Sequence, residues 1–230
     1  MTNKTSAQRR KTSNGPSLGR SAYSELEEMI ITLRLTPGSV ISEAMLIQLS
    51  KLGRTPMREA LQRLERERLL KILPRRGIMV AEINVASQMK LLEVRRHLER
   101  PLARVAAQRA TQSQRREILK FVDLIQETVQ NDDAIRFIRI SKEMYAKLIE
   151  AAHNEYFESL SLFQGLSRRF WFAHRRSGQD LKILVAAHVV RITAVVDGNA
   201  GEAEKATDAL MDQLEEFARA TLNYPSALHC

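Results

Sequence analysis

The spacing of the apolar residues changes character once, at Ile83, and that change limits the folds open to the chain. From Val85 to about residue 222 the apolar positions recur at helical spacing, with breaks marked by Thr111, Asn131, Asp132, Gly178 and Gly198. A stretch of this kind has no strand to pair and must bury its stripes helix against helix. Six helices are predicted, over residues 85–110, 112–130, 132–152, 154–173, 178–197 and 200–222. Residues 183–196, ILVAAHVVRITAVV, are apolar nearly all round, which places that helix at the centre of the bundle. A hydrophobic fraction of 44% is enough for a packed core, and aromatics at only 5% favour helix over sheet.

Before Ile83 the pattern is mixed. Tyr23, Leu26, Met29, Ile30 and Leu33 form a helical stripe that stops at the turn Thr36-Pro37-Gly38-Ser39. Ser42 is suited to cap a short second helix through Leu49. Gly53 breaks it, and a third helix follows to about Arg68, with Thr55 as the expected N-cap and Pro56 at the first helical position. Met57, Ala60, Leu61 and Leu64 are its buried stripe, and Arg58, Glu59, Gln62, Arg63 and Arg66 its outer face. Two alternating runs, Leu69–Leu73 and Ile78–Ile83, flank the basic tip Pro74-Arg75-Arg76-Gly77 and read as a hairpin. The predicted fold is therefore mainly α: a winged helix-turn-helix over residues 21–83 and an all-helical domain over 84–225, preceded by a disordered basic arm over 1–20. That arm holds Lys4, Arg9, Arg10, Lys11 and Arg20 and no acid.

Charge follows the same division. The net charge is +9; residues 1–83 hold 15 Lys and Arg against 8 Asp and Glu, and the remainder 21 against 19. A local excess of this kind suits a polyanion such as DNA, because neutralised phosphates release counterions. A basic surface kept for solubility has the same composition. The lone cysteine, Cys230, excludes a disulfide framework or a Cys-rich zinc module. No apolar run reaches membrane-span length and the N-terminus lacks a signal-peptide core, so a cytoplasmic location is expected.

The first turn of a recognition helix reaches base edges in the major groove, and here it carries Arg54, Thr55 and Arg58. Arginine contacts guanine O6 and N7 together. Arg75 and Arg76 at the hairpin tip are placed for a narrow minor groove. A merely solvated helix face accounts less well for a basic helix start, a preceding short helix and a basic hairpin occurring together.

These pieces resemble the GntR family of regulators. The matching residues are Arg34-Leu35-Thr36-Pro37-Gly38-Ser39, Ile41-Ser42-Glu43, Arg54-Thr55-Pro56-Met57-Arg58-Glu59-Ala60-Leu61-Gln62-Arg63-Leu64 and Arg76-Gly77-Ile78-Met79-Val80. The resemblance implies DNA contacts from Arg54, Thr55 and Arg58 and from the hairpin loop. Within the matching segments the candidate set is Arg34, Arg54, Thr55, Arg58, Arg63, Arg75, Arg76 and Gly77. Two residues depart from the family pattern: Gly53 where Ser or Thr is usual, and Arg68 where Gly is usual and would ease a left-handed helix end.

The helical half resembles the FCD effector domain of the FadR-like branch, through Leu92-Glu93-Val94-Arg95-Arg96-His97-Leu98-Glu99, Ala151-Ala152-His153-Asn154, and His188 followed by Gly198. Six helices match the shorter VanR-like subgroup. Many such domains hold a divalent metal on one Asp and three His. The corresponding positions here are Ser141, Tyr145, His188 and either Gln213 or Leu210, so one ligand of four remains and no bound metal or other cofactor is expected. Ser141, Tyr145, His188 and Gln213, with Arg95 and Arg168, are then expected to line a pocket for a small anionic effector. Arg169, Trp171 and His174 are further lining candidates; His188 taken alone also reads as a satisfied core histidine.

The expected function is a sequence-specific, homodimeric DNA-binding regulator, most simply a repressor, whose operator affinity changes when a metabolite binds. Two other readings stay open at this stage. His188 with Tyr145 is a conceivable proton-transfer pair for an enzyme, although no Gly-rich phosphate loop or metalloprotease motif accompanies it. A DNA binder with no sensing function is the other.

Overall fold

The structure is a computed structural model that describes residues 18–223. In chain order the winged half contains α1 (Leu18–Ile31), β1 (Val40–Ile41), α2 (Glu43–Ser50), α3 (Arg54–Arg66), β2 (Leu70–Leu73) and β3 (Gly77–Val80). The helical half contains α4 (Val85–Arg109), α5 (Gln112–Gln130), α6 (Ala134–Ala151), a 3-10 segment Glu155–Leu160, α7 (Ser161–His174), α8 (Gly178–Val196), α9 (Ala200–Ala220) and a last 3-10 turn Thr221–Asn223. The first helix begins at Leu18, so residues 18–20 belong to it rather than to an arm; Lys4, Arg9, Arg10 and Lys11 lie outside the described residues.

Side-chain caps explain most helix starts. Ser42 accepts from the Met45 N–H, Thr111 and Gln114 form a reciprocal capping box, Asp133 accepts from the Arg136 N–H, and Asn199 accepts from the Glu202 N–H. The fourth predicted helix of the bundle is divided: Asn154 caps a 3-10 segment, and α7 starts only at Ser161. The end of α3 is a Schellman turn, with Leu69 N–H on the Leu64 carbonyl and Arg68 N–H on the Glu65 carbonyl. Arg68 itself adopts the left-handed conformation at φ 59°, where a glycine would rest without strain.

The wing is a three-stranded antiparallel sheet in the order β1-β3-β2, one strand more than the predicted hairpin. The register pairs Ile72 with Ile78 and Leu73 with Gly77, while Ile41 of β1 also faces Ile78. This short edge strand fixes the identity of Gly77. Its φ is 111°, and a Cβ there would lie 2.8 Å from the Ile41 carbonyl oxygen.

Two separate cores result. One joins α1, α3 and the sheet through Tyr23, Leu26, Ile30, Met57, Leu64 and Ile78; the other fills the bundle. Helix α7 links them: its Leu166 packs on the winged core, and Gly165 lies close to Leu69. Helix α8 is not enclosed on all sides as its composition implied, because Ile183 and Val190 are exposed.

Candidate functional site

Gly53, not Thr55, is the N-cap of α3, and it makes no side-chain capping bond. Pro56 then falls in the first helical turn, where its missing N–H costs nothing. The Arg54 and Thr55 N–H groups precede any carbonyl four residues back within the helix, so they are available to an anion. Arg54, Thr55 and Arg58 are all exposed on this tip. Arg58 donates from Nε to Glu43 on α2 at 3.0 Å, a solvent-exposed pair that holds the guanidinium at little energetic cost to an exchange of partners. Arg75 and Arg76 are exposed at the wing tip, Gly77 completes that turn, and Arg34 is exposed in the turn that ends α1.

Arg63 is the exception among the expected DNA contacts. Nine residues on from Arg54, it falls on about the opposite side of the helix. Its Nε donates to Glu67 at 3.0 Å and its guanidinium lies 3.7 Å from the Tyr23 ring centroid. It faces the helical domain instead.

Inside that domain a buried polar network surrounds Glu99. Its carboxylate accepts from Arg95 Nε at 2.7 Å, Arg191 Nη1 at 3.0 Å, the Tyr145 hydroxyl at 2.6 Å and Gln164 Nε2 at 3.1 Å. Arg95 also donates to Ser167, and Arg191 to the Tyr145 oxygen at 2.8 Å. Burial works against the Glu99 charge, but Arg95 and Arg191 hold its carboxyl below the usual range. Burial first, then the neighbouring Arg191 and Arg95, push His188 well below its ordinary value. The imidazole is therefore neutral, and its Nδ1 accepts from Arg191 Nη2 at 3.2 Å because a guanidinium has nothing to accept with.

The structure brings Arg95, Ser141, Tyr145, Arg168 and His188 together around one void, but that void measures only about 30 Å³. It has room for a water molecule and not for a metabolite. The reason is that the polar groups satisfy one another; Ser141 turns back to the Ile138 carbonyl of its own helix at 2.9 Å. Gln213 does not join them. It is exposed and borders a different cavity beside Trp171 and Asp180, while its neighbour Leu214 takes the inward position. Nor do these residues fit a divalent metal. Hydroxyls and one imidazole face two guanidinium cations, and among the described residues no three His, Cys, Asp or Glu are grouped to hold an ion. Glu99 and Arg191 are the members that the sequence reading missed. The signal was present: Arg191 is the one charged residue within ILVAAHVVRITAVV, and a charge in such a helix requires a buried partner.

The larger cavity, about 560 Å³, lies between the two domains. Tyr23 and Glu27 of α1 and Arg63 of α3 form one side; α6, α7 and the 3-10 segment form the other. Glu27 is 4% exposed and accepts from Lys142 and from Arg168 Nη2, the latter at 2.8 Å. Beside it Arg139 grips Glu28 with two bonds of 2.6 and 2.7 Å and lowers its pKa. The next residue after Arg168 anchors the linker. Arg169 is 1% exposed and donates to the Ala81 carbonyl, with burial alone drawing its pKa down to about 10.

A winged helix with an exposed basic helix tip, ion-paired to an all-helical domain, defines a two-domain class of DNA-binding protein. The chain belongs to the GntR family of bacterial regulatory proteins, matched over residues 18–80, in the branch that carries an FCD domain, matched over 90–213. It is 29% identical over 161 residues to the Nta operon transcriptional regulator of Aminobacter aminovorans, spanning 70% of this chain and 75% of that one. It is 24% identical over 139 residues to the HTH-type transcriptional regulator YdhC of Bacillus subtilis, spanning 60% and 62%. Among solved structures, E. coli McbR/YncC shares the fold with a TM-score of 0.76 over 91% of this chain and all of its own, at 17% identity. A GntR regulator from Rhodococcus sp. RHA1 does so with 0.68 over 89% and 99%, at 19% identity. The protein is thus a transcriptional regulator with a DNA-binding and an effector-binding domain. Among the described residues no helix is long and apolar enough to cross a membrane.

Proposed function

We propose that the protein is a homodimeric cytoplasmic repressor that releases its operator when a small anionic metabolite binds the helical domain, and that it works without a bound metal. The observation that carries this reading is the set of ion pairs from Glu27 and Glu28 on α1 to Arg139, Lys142 and Arg168 on α6 and α7. A helix of the DNA-binding domain is held directly by the domain that receives the effector. A ligand that favours the state with those pairs broken lowers DNA affinity by its preference for that state, about 1.4 kcal/mol for each tenfold change.

In this reading Arg54, Thr55 and Arg58 read the major groove, Arg75, Arg76 and Gly77 approach the minor groove, and Arg34 contacts backbone phosphate. Two copies meet through the exposed apolar stripe of α8, Ile183, Ala186 and Val190, so that two tips address a two-fold operator. The test is selection of duplexes from a random pool, followed by competition in the presence of a small-molecule extract of the source cells. A palindromic consensus that is released by the extract is the expected result. Equal affinity for selected and random duplexes would defeat the reading.

A further inference from the structure

We propose that the interdomain cleft is itself a ligand site, for a small zwitterion whose carboxylate takes Glu27's place on Arg168 and Lys142. This goes beyond the regulatory reading above, whose effector is an anion in the helical domain, and rests on it only for its effect on DNA. Three observations meet here. The first is room: the cleft, at about 560 Å³, is of metabolite size, whereas the internal void is not.

The second is an unmet demand for an anion. The Arg168 side chain is only 10% exposed, and two of its three nitrogens, Nε and Nη1, are sealed from solvent without an acceptor. Only Nη2 is used, by Glu27. A guanidinium binds a carboxylate best with two parallel bonds, which here requires a share of Nη2 and so competition with Glu27. The same displacement frees Lys142, which also donates to Glu27. Arg168 forms part of the wall of the cleft and of the void beside His188, so its movement touches both domains.

The third is the charge at the other end. Glu150 at the end of α6, and Glu155 and Glu158 on the 3-10 segment, border the same cleft. Lys142 and Glu150 are eight residues apart on one helix, about 12 Å along its axis. Between them α6 contributes Tyr145, Ala146 and Ile149 to the wall, and the Tyr145 hydroxyl is engaged by Glu99. A ligand that satisfies both ends carries a carboxylate and an ammonium roughly 10 Å apart, the reach of an extended tripeptide. An α-amino acid is too short, and a simple dicarboxylate has the wrong sign at the far end.

Triglycine is the probe, with N-acetyltriglycine and triglycine amide as its single-charge controls. Thermal unfolding and calorimetry on the full chain without DNA read binding. Triglycine is expected to raise Tm and both capped forms to fail. Arg168→Gln, and separately the half-exposed Lys142→Gln, should abolish the shift. Glu27→Gln removes the competitor and should tighten triglycine binding by about fivefold; a Glu27 that is merely structural would leave binding unchanged or weaker. No shift at concentrations up to about 50 mM, an equal shift from a capped form, or unaltered binding by Glu27→Gln each overturns the proposal. Operator binding is measured separately. If triglycine binds as stated but operator affinity does not change, the cleft stands and the regulatory reading of it falls. If selected operators are bound but triglycine is not, the reverse holds.

Discussion

The helix tip and the bundle interior use the same residue for opposite ends. Arg54, Arg58, Arg75 and Arg76 are exposed, and Arg58 among them is paired with the partly exposed carboxylate of Glu43. Arg95 and Arg191 are 3% and 1% exposed and are clamped on Glu99. At the tip the cost of ordering each guanidinium is deferred until an external phosphate or base edge arrives. In the bundle the cost of desolvation is met at folding by an internal carboxylate. What an arginine does therefore depends on which anion reaches it, and burial decides that before sequence type does.

The sharpest way to break this comparison is to take away the internal anion. Glu99→Leu leaves Arg95 and Arg191 buried with no carboxylate between them, and is expected to cost about 3–5 kcal/mol of stability. For a chain of this size that is on the order of 10 °C in Tm. Replacing all three by Met, Leu and Met should return most of the loss, because the apolar set carries no unpaired charge. Arg54→Ala at the tip should move stability by less than about 0.5 kcal/mol. Equal effects at the two sites, read by chemical denaturation, would erase the distinction.

On DNA the ranking reverses. Arg54→Ala or Arg58→Ala is expected to cost about 1–3 kcal/mol of operator affinity and to relax the preferred base at one position. Arg63→Ala should leave the base preference intact, since its guanidinium is committed to Glu67 and Tyr23. Binding to a panel of single-base operator variants decides this. Loss of a base preference in Arg63→Ala would return that residue to the DNA-contacting set.

Arg63 also marks where reading the sequence stopped. Its place in the matching string said that it was on the recognition helix but not which way it faced. The starts of α2 and α5 were legible because Ser42 and Thr111 act on the backbone within three residues of themselves. Strand β1 was not, since two residues carry no alternation and the strand exists only because β3 pairs with it. The helical-domain site was legible as a set of polar residues on inward faces. Whether those residues enclosed a pocket or closed on one another depended on Glu99 and Arg191, which come from different helices. Gln213 was misplaced by the same limit: one residue along α9 exchanges an outward Gln for an inward Leu214.

The interior has its own pH signature. His188 is held neutral well below its ordinary pKa by burial and by the two arginines. In the unfolded chain it takes up a proton below about pH 6.5. Between that value and its depressed folded value the unfolded state binds more protons, so stability is lost as pH falls. The slope from this one group approaches 1.4 kcal/mol per pH unit at most. Glu99 acts in a lower window, below the ordinary carboxylate range, because its folded pKa is also depressed. Burial raises the Glu67 carboxyl and gives a slope of opposite sign above the ordinary carboxylate value, so the His188 contribution between pH 7 and 5 is read as the difference between the protein and a His188 variant. His188→Asn, which keeps an acceptor near the Nδ1 position, should flatten that slope. An unchanged slope would mean that the imidazole is charged in the fold and that the pairing with Arg191 is wrong.

Arg68 belongs to neither set of arginines and allows the smallest separation of backbone from charge. It occupies the left-handed position of the α3 Schellman turn, where an L side chain is strained by roughly 1 kcal/mol. Glycine removes that strain but adds freedom to the unfolded chain, so Arg68→Gly should stabilise by only about 0.5 kcal/mol. Its fourteen-residue separation from Arg54 is about 20 Å along a helix axis, the length of the recognition helix itself. If the residue serves the turn alone, operator affinity and its salt dependence stay unchanged while Tm rises. A fall of about one in the slope of affinity against salt would instead assign its guanidinium to a phosphate. It would also extend the externally paired group of arginines from the tip to the far end of α3.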